Sequence, residues 1–128
     1  LAGSLIALGL PKVQAIVPMP ISHERLAQRG YNQALVLAKI VARHLNIPIW
    51  QPVSRHDLHA QKGLSRLERM QNIQSQFQIK PQLKLRYRRV LIIDDVVTTG
   101  SSINALSLQL EQLGCQKIYA ACIASAEH

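Results

Sequence analysis

Cysteine is scarce: Cys115 and Cys122 are the only two in 128 residues. They are too few and wrongly spaced for a zinc cluster, and too few for a secreted disulfide scaffold. The expectation is two small buried thiols in a reducing, cytoplasmic compartment. Aromatic residues are also sparse, with one Phe, one Trp and three Tyr scattered along the chain. A stacking platform for single-stranded nucleic acid is therefore poorly supplied. No apolar run is long enough to span a bilayer, so membrane insertion is not expected. Neither G-x-G-x-x-G nor G-x-x-x-x-G-K-[ST] occurs, which removes the dinucleotide fingerprint and the Walker loop.

Acids are the other shortage. Seven Asp/Glu stand against fifteen Lys/Arg, for a net charge of +8. The basic residues concentrate between Arg55 and Arg89, where the acids are Asp57 and Glu68. Such a field attracts nucleic acid, a polyphosphate or an acidic membrane surface, and does not choose among them.

What is present suits one domain. The 128 residues are 48% apolar, spread evenly, with no repeat, low-complexity tract or linker. Residues 1–128 are read as a single domain. The start at Leu1, without a charged n-region or cleavage site, fits a C-terminal piece of a longer protein without a signal peptide.

The patterning alternates strand and helix. Gln14–Pro18 is a short apolar run ended by Pro, and Pro18–Tyr31 reads as a polar, irregular stretch. Ala34, Ala38, Val41 and Leu45 recur at helical spacing behind Asn32, a good N-cap. Ile47–Val53 predicts a second strand, His56–Gly63 a loop, Leu64–Ile73 a charged helix and Gln76–Ile79 a short strand. The basic stretch Lys80–Arg89 is a solubilising connector or a nucleic-acid contact. Val90–Ile93 is continuously apolar, as a central parallel strand covered on both faces must be. Ile103, Leu106, Leu110 and Leu113 form a helix stripe closed by Gly114, and Ile118–Ala124 is the last strand. The expected fold is α/β: an open, mostly parallel sheet with helices on both faces.

The informative segment runs from Val90 to Ser102. Asp94 and Asp95 follow the central strand directly, where ligands bind in open parallel sheets. Adjacent carboxylates beside an apolar strand cost free energy through repulsion and desolvation, unless a cation or hydroxyl uses them. Thr98, Thr99, Gly100, Ser101 and Ser102 then lead into a helix, offering hydroxyls, a flexible backbone and the positive end of a helix dipole. A ligand with phosphate at one end and hydroxyls or a metal at the other fits this pair of features; a ribose 5-phosphate has that shape. The same residues also suit a capped helix whose Asp pair simply ends the strand.

Apolar strand, two acids, two apolar residues and T-T-G-S-S resemble the phosphoribosyl-pyrophosphate motif of type I phosphoribosyltransferases. Val17–Pro20, Arg25, Arg29–Gln33 and Gln61–Phe77, with Leu64, Arg69 and Asn72, narrow the resemblance to the ComF family of competence-associated phosphoribosyltransferase-like proteins. It runs from about Ala15 to the C-terminus, with the motifs in the family's order.

The resemblance implies a type I phosphoribosyltransferase fold and use of 5-phosphoribosyl-1-pyrophosphate with Mg²⁺. Asp94 and Asp95 would be the catalytic pair, holding the ribose 2′- and 3′-hydroxyls directly or through Mg²⁺. Thr98, Thr99, Gly100, Ser101 and Ser102 would wrap the 5-phosphate. Arg25 and Arg29, in the loop Pro18–Tyr31, would meet the diphosphate. Apart from the resemblance, Lys62, Arg66 and Arg69 form a second cationic group, with Arg66 and Arg69 on one helix face. It either closes over the diphosphate as a flap or is a solvated face paired with Glu68. Two departures matter. The cysteine-rich zinc ribbon that often precedes this domain in the family is not in this sequence. Thr98 stands where purine-salvage relatives carry an acid that serves as a base, a task a hydroxyl does not perform readily.

The acceptor is unidentified. His56, Asp57 and His59 offer a base or metal ligands, His23 a phosphate ligand, and His44 a surface position. The leading expectation is a Mg²⁺-dependent phosphoribosyltransferase associated with DNA uptake. The alternatives are a catalytically silent module contacting single-stranded DNA or a competence helicase, and a sensor of the same ligand.

Overall fold

A computed structural model describes residues 12–56, 73–97 and 100–125. Three parallel strands form the main sheet in the order β1 (Ala15–Pro18), β4 (Arg89–Val97), β5 (Lys117–Ser125). Helix α2 (Gln33–Leu45) covers one face and helix α3 (Ser101–Gln112) the other. A separate antiparallel pair, β2 (Val53–Arg55) with β3 (Phe77–Ile79), packs on the α3 side.

The continuous apolar run of β4 follows from its place at the centre. Val90 and Ile92 join Ala105, Leu106 and Leu110 of α3 in one core cluster. Leu91 and Ile93 point the other way, to Ala38 and Val41 of α2. Successive strand side chains alternate faces, so a strand buried on both sides has no polar position to spare. All four are at most 2% exposed.

Helix α2 starts where its cap predicts. Asn32 Oδ1 accepts the Ala34 N–H at 3.0 Å, and Asn32 Nδ2 donates to Met19 O at 3.1 Å. One side chain thus caps the helix and ties it to the chain leaving β1. At the end of α3, Gly114 has φ +98°, the left-handed conformation that stops the helix after Leu113.

Three sequence expectations change. The stretch Pro18–Tyr31 is not irregular throughout: His23–Arg29 forms a helix, α1. Ser22 Oγ accepts the Arg25 N–H at 3.3 Å, and the Gly30 N–H donates to Leu26 O at 2.7 Å. This helix buries none of its residues, so it left no apolar period to read; its caps define it. Ile47–Val53 is not a full strand either. It touches β1 through one bridge, Ile16 to Ile49, with hydrogen bonds from Ile16 N to Pro48 O and from Trp50 N to Ile16 O. Pro48 and Pro52 have no N–H, so the ladder cannot extend. Third, the connector Lys80–Arg89 is anchored rather than merely solvated. Tyr87 packs edge-on against Trp50, with ring centroids 5.1 Å apart, and Leu83 packs on the same core. The expected helix Leu64–Ile73 lies almost wholly outside the described residues. No helix among the described residues is long and apolar enough to cross a membrane.

Candidate functional site

Strand β4 delivers Asp94 and Asp95 to the carboxyl end of the sheet. Asp94 is 8% exposed, and its Oδ1 accepts the Asp95 N–H at 2.9 Å. Burial pushes its carboxyl up to about 6, and the Asp95 side chain adds to the rise through its hydrogen bond and its charge. The backbone N–H of Asp95 and the Arg55 guanidinium oppose that rise. A carboxylate held in this way gains by acquiring a cation or hydroxyl donors.

The loop after β1 lies against these carboxylates. Met19 N donates to Ile93 O at 2.8 Å, carrying the β1–β4 ladder to the last apolar residue before the pair. From there α1 swings its final residue over the site: Arg29 Nη1 lies 3.7 Å from Asp95 Oδ2. Arg25, one turn earlier, faces the same space.

Gly100 forms the N-cap of α3 with φ +77° and, being glycine, has no side chain with which to cap the helix. The N–H groups of the first turn, at Ser101 and Ser102, are where the helix dipole places partial positive charge. Arg55 closes the opposite wall. Its Nη2 donates to Ser102 Oγ at 3.2 Å, its Nε donates to Gln76 Oε1 at 3.2 Å, and its guanidinium carbon sits 4.9 Å from the Phe77 ring centroid. Two hydrogen bonds and a ring face fix the plane of the guanidinium.

Arg25, Arg29, Arg55, Asp94, Asp95 and Ser102 therefore line one cavity of about 420 Å³, within the range of small-molecule sites. Of the residues singled out from sequence, Arg25, Arg29, Asp94, Asp95 and Ser102 come together here, and Gly100 and Ser101 stand at the adjoining end of α3. Thr98, Thr99, Lys62 and Arg69 lie outside the described residues, as do Arg66, Asp57 and His59. His56 hydrogen-bonds Ser54 Oγ at 3.5 Å in β2, and His44 is exposed near the end of α2.

Arg55 and Asn32 are the polar lining residues that sequence reasoning did not single out for this cavity. Nothing local marks Arg55. It becomes a wall of the site only because β2 and β3 pair with Arg55 opposite Phe77. No cluster of three His, Cys, Asp or Glu exists among the described residues. Two adjacent carboxylates suit Mg²⁺ in its usual manner, one or two protein carboxylates completed by water and substrate oxygens.

Residues 32–128 match the phosphoribosyl transferase domain family. The chain belongs to that family. It is 40% identical over 108 residues to competence protein F of Haemophilus influenzae, covering 82% of this chain and 47% of that protein. It is 31% identical over 118 residues to the DNA utilization protein YhgH of Escherichia coli, covering 90% and 51%. The chain thus spans about half the length of these curated relatives. A purine phosphoribosyltransferase from Pyrococcus horikoshii superposes with a TM-score of 0.62 at 21% identity, over 98% of this chain and 68% of that one. Adenine phosphoribosyltransferase from Saccharomyces cerevisiae gives 0.57 at 16%, over 96% and 62%. The phosphoribosyltransferase fold expected from the motif is the fold observed.

Proposed function

We propose that this domain binds 5-phosphoribosyl-1-pyrophosphate with Mg²⁺ at the end of β4 and transfers its phosphoribosyl group to an acceptor, releasing pyrophosphate. The observation that carries the reading is one cavity uniting the buried Asp94, its half-buried neighbour Asp95, the N-terminal turn of α3 and three arginines. Asp94 and Asp95 hold the ribose hydroxyls. The backbone N–H groups and hydroxyls from Thr98 to Ser102 receive the 5-phosphate. Arg25 and Arg29 take the diphosphate, aided by Lys62 and Arg69. Mg²⁺, where bound, neutralises charge on the leaving pyrophosphate.

The step needs little acid–base machinery. The C1–O bond breaks, its electron pair leaves on pyrophosphate, and the acceptor's lone pair forms the new bond to C1. Asp94 and Asp95 fix the ring and tolerate the positive charge that builds on it. Positioning the acceptor supplies much of the acceleration.

The names of the relatives tie the domain to competence and DNA utilization, which we place in the cytoplasm. The net charge of +8 favours a second reading, a silent module contacting single-stranded DNA or a helicase. Calorimetric titration with phosphoribosyl pyrophosphate, with and without Mg²⁺, separates the two. Binding that requires Mg²⁺ and disappears in Asp94→Asn/Asp95→Asn supports the site. No binding by the folded domain sinks it, and salt-dependent affinity for single-stranded DNA then favours the second reading.

A further inference from the structure

The exposed cations are unevenly placed on the fold. Lys12 stands just before β1, Lys84, Arg86 and Arg88 lie in the approach to β4, Arg89 begins β4, and Lys117 begins β5. All six are exposed, and none forms an ion pair among the described residues. The three strands run parallel, with Ala15 opposite Val90 and Arg89 opposite Lys117, so these cations gather around the amino end of the sheet. Asp94 and its cavity lie at the other end, about 16 Å further along β4. We propose that this amino-end face binds the phosphate backbone of duplex nucleic acid, independently of base sequence and of the cavity at the carboxyl end.

Charge complementarity sets the class of partner. Glu111, in the last turn of α3, is the one described acid on this side, where the helix returns to the start of β5. Glu24 follows the carboxyl end of β1, and Asp94 and Asp95 lie at that same far end. Six cations against one acid concentrate a positive field, which a polyanion relieves while releasing its own counterions.

The backbone beneath the cations is held still. Gln14 Oε1 accepts the N–H groups of Arg88 and Arg89 at 2.9 and 3.1 Å, and the Gln14 N–H donates to Arg89 O at 2.8 Å. Arg88 O accepts the N–H groups of Gln116 and Lys117 at 2.7 and 3.0 Å, and Cys115 Sγ donates to Tyr87 O at 3.2 Å. These bonds tie the starts of all three strands together. A solvating connector needs none of them. A surface that meets regularly spaced phosphates gains from a fixed backbone, because less freedom is lost on binding.

The aromatic residues decide between duplex and single strand. Tyr87 and Tyr119 are the rings next to these cations in the chain, and neither stands exposed. Tyr87 packs edge-on against Trp50, and Tyr119 packs on the core cluster of Leu91 and Ile93. Single strands are held in large part by stacking on free rings, which this face does not supply. A duplex presents one charge per about 1.7 Å of its axis, twice the density of one strand. A membrane surface fits less well. Leu85, 63% exposed, is the large apolar side chain that Lys80–Arg89 leaves open, and interfacial binding takes a whole apolar helix face.

Fluorescence anisotropy tests the face, with a labelled mixed-sequence duplex of about two helical turns, one strand of that duplex, and phosphatidylglycerol vesicles as competitor. The duplex should bind more tightly than the single strand. Its log affinity should fall against log salt with a slope of about 4–5, near 0.9 for each phosphate met. Arg86→Gln/Arg88→Gln should lower that slope by about 2 and weaken binding by at least on the order of tenfold. Lys39→Gln/Arg43→Gln removes the same charge from exposed positions of α2 and should leave the slope unchanged. Circular dichroism confirms that each variant is folded. Arg86→Gln/Arg88→Gln should bind phosphoribosyl pyrophosphate as the unmodified domain does, and Asp94→Asn/Asp95→Asn should keep its affinity for the duplex. No duplex binding at low salt, a preference for the single strand, equal losses in the two arginine and lysine double variants, tighter binding to the vesicles, or competition between phosphoribosyl pyrophosphate and duplex overturns the assignment. Duplex binding by a domain that takes no phosphoribosyl pyrophosphate upholds the face and sinks the transferase reading alone.

Discussion

Arg29, the last residue of α1, holds Nη1 3.7 Å from Oδ2 of Asp95 on β4, joining the loop after β1 to the end of the central strand. The arginine side chain is 50% exposed and the aspartate 29%. Ion pairs this open to water contribute about 0–1 kcal/mol. Its use is therefore positional: it keeps a cation poised beside the carboxylate pair.

Arg29→Gln should accordingly change unfolding free energy by less than about 1 kcal/mol. The same variant should lose on the order of tenfold in affinity for phosphoribosyl pyrophosphate, as a charge-assisted contact to the diphosphate disappears. Chemical denaturation and calorimetry on one preparation check both. A large loss of stability would show that the pair is structural.

Asp94 provides a pH dependence. Its carboxyl is pushed up to about 6 in the folded protein from its ordinary value of 3.8, first by burial. Between those values the folded state holds a proton that the unfolded chain releases. This group therefore lowers stability as pH rises from about 4 to about 6, and the penalty stays constant above. Asp94→Asn should stabilise the free protein at neutral pH by on the order of 1–3 kcal/mol, with the gain vanishing near pH 4. A ligand that requires the carboxylate should bind more weakly below pH 6, about tenfold for each further unit while one proton must leave. Thermal melts across pH and titrations at pH 5 and pH 7 read the two effects.

Gly100 begins α3 with φ +77°, and a Cβ built there meets nothing within 4 Å. The cost of Gly100→Ala is then one of backbone conformation rather than of clash, about 1–2 kcal/mol. Gly100→Asn should cost less, since Asn visits the left-handed region more readily. If the first turn of α3 binds the 5-phosphate, affinity should fall in the same order. Urea unfolding of both variants, with calorimetry, checks it.

Local patterning is enough to read the central strand, the two covering helices and the place of the carboxylate pair after that strand. Val90–Ile93 carries no polar position, which only a strand covered on both faces requires, and Asn32 and Gly114 mark helix ends through local hydrogen bonding and a left-handed φ. These signals are local, so they survive without the fold. The other features depend on packing between distant segments. Helix α1 buries no residue, so no periodicity reported it. Ile47–Val53 is apolar enough for a strand, yet its prolines leave it one bridge to β1. Arg55 enters the site because β2 pairs with β3 and then reaches Ser102, 47 residues further along the chain. The raised titration of Asp94 likewise arises from burial and from the neighbours that folding gathers around it. Contacts between distant residues depend on how elements pack, and no local pattern encodes them.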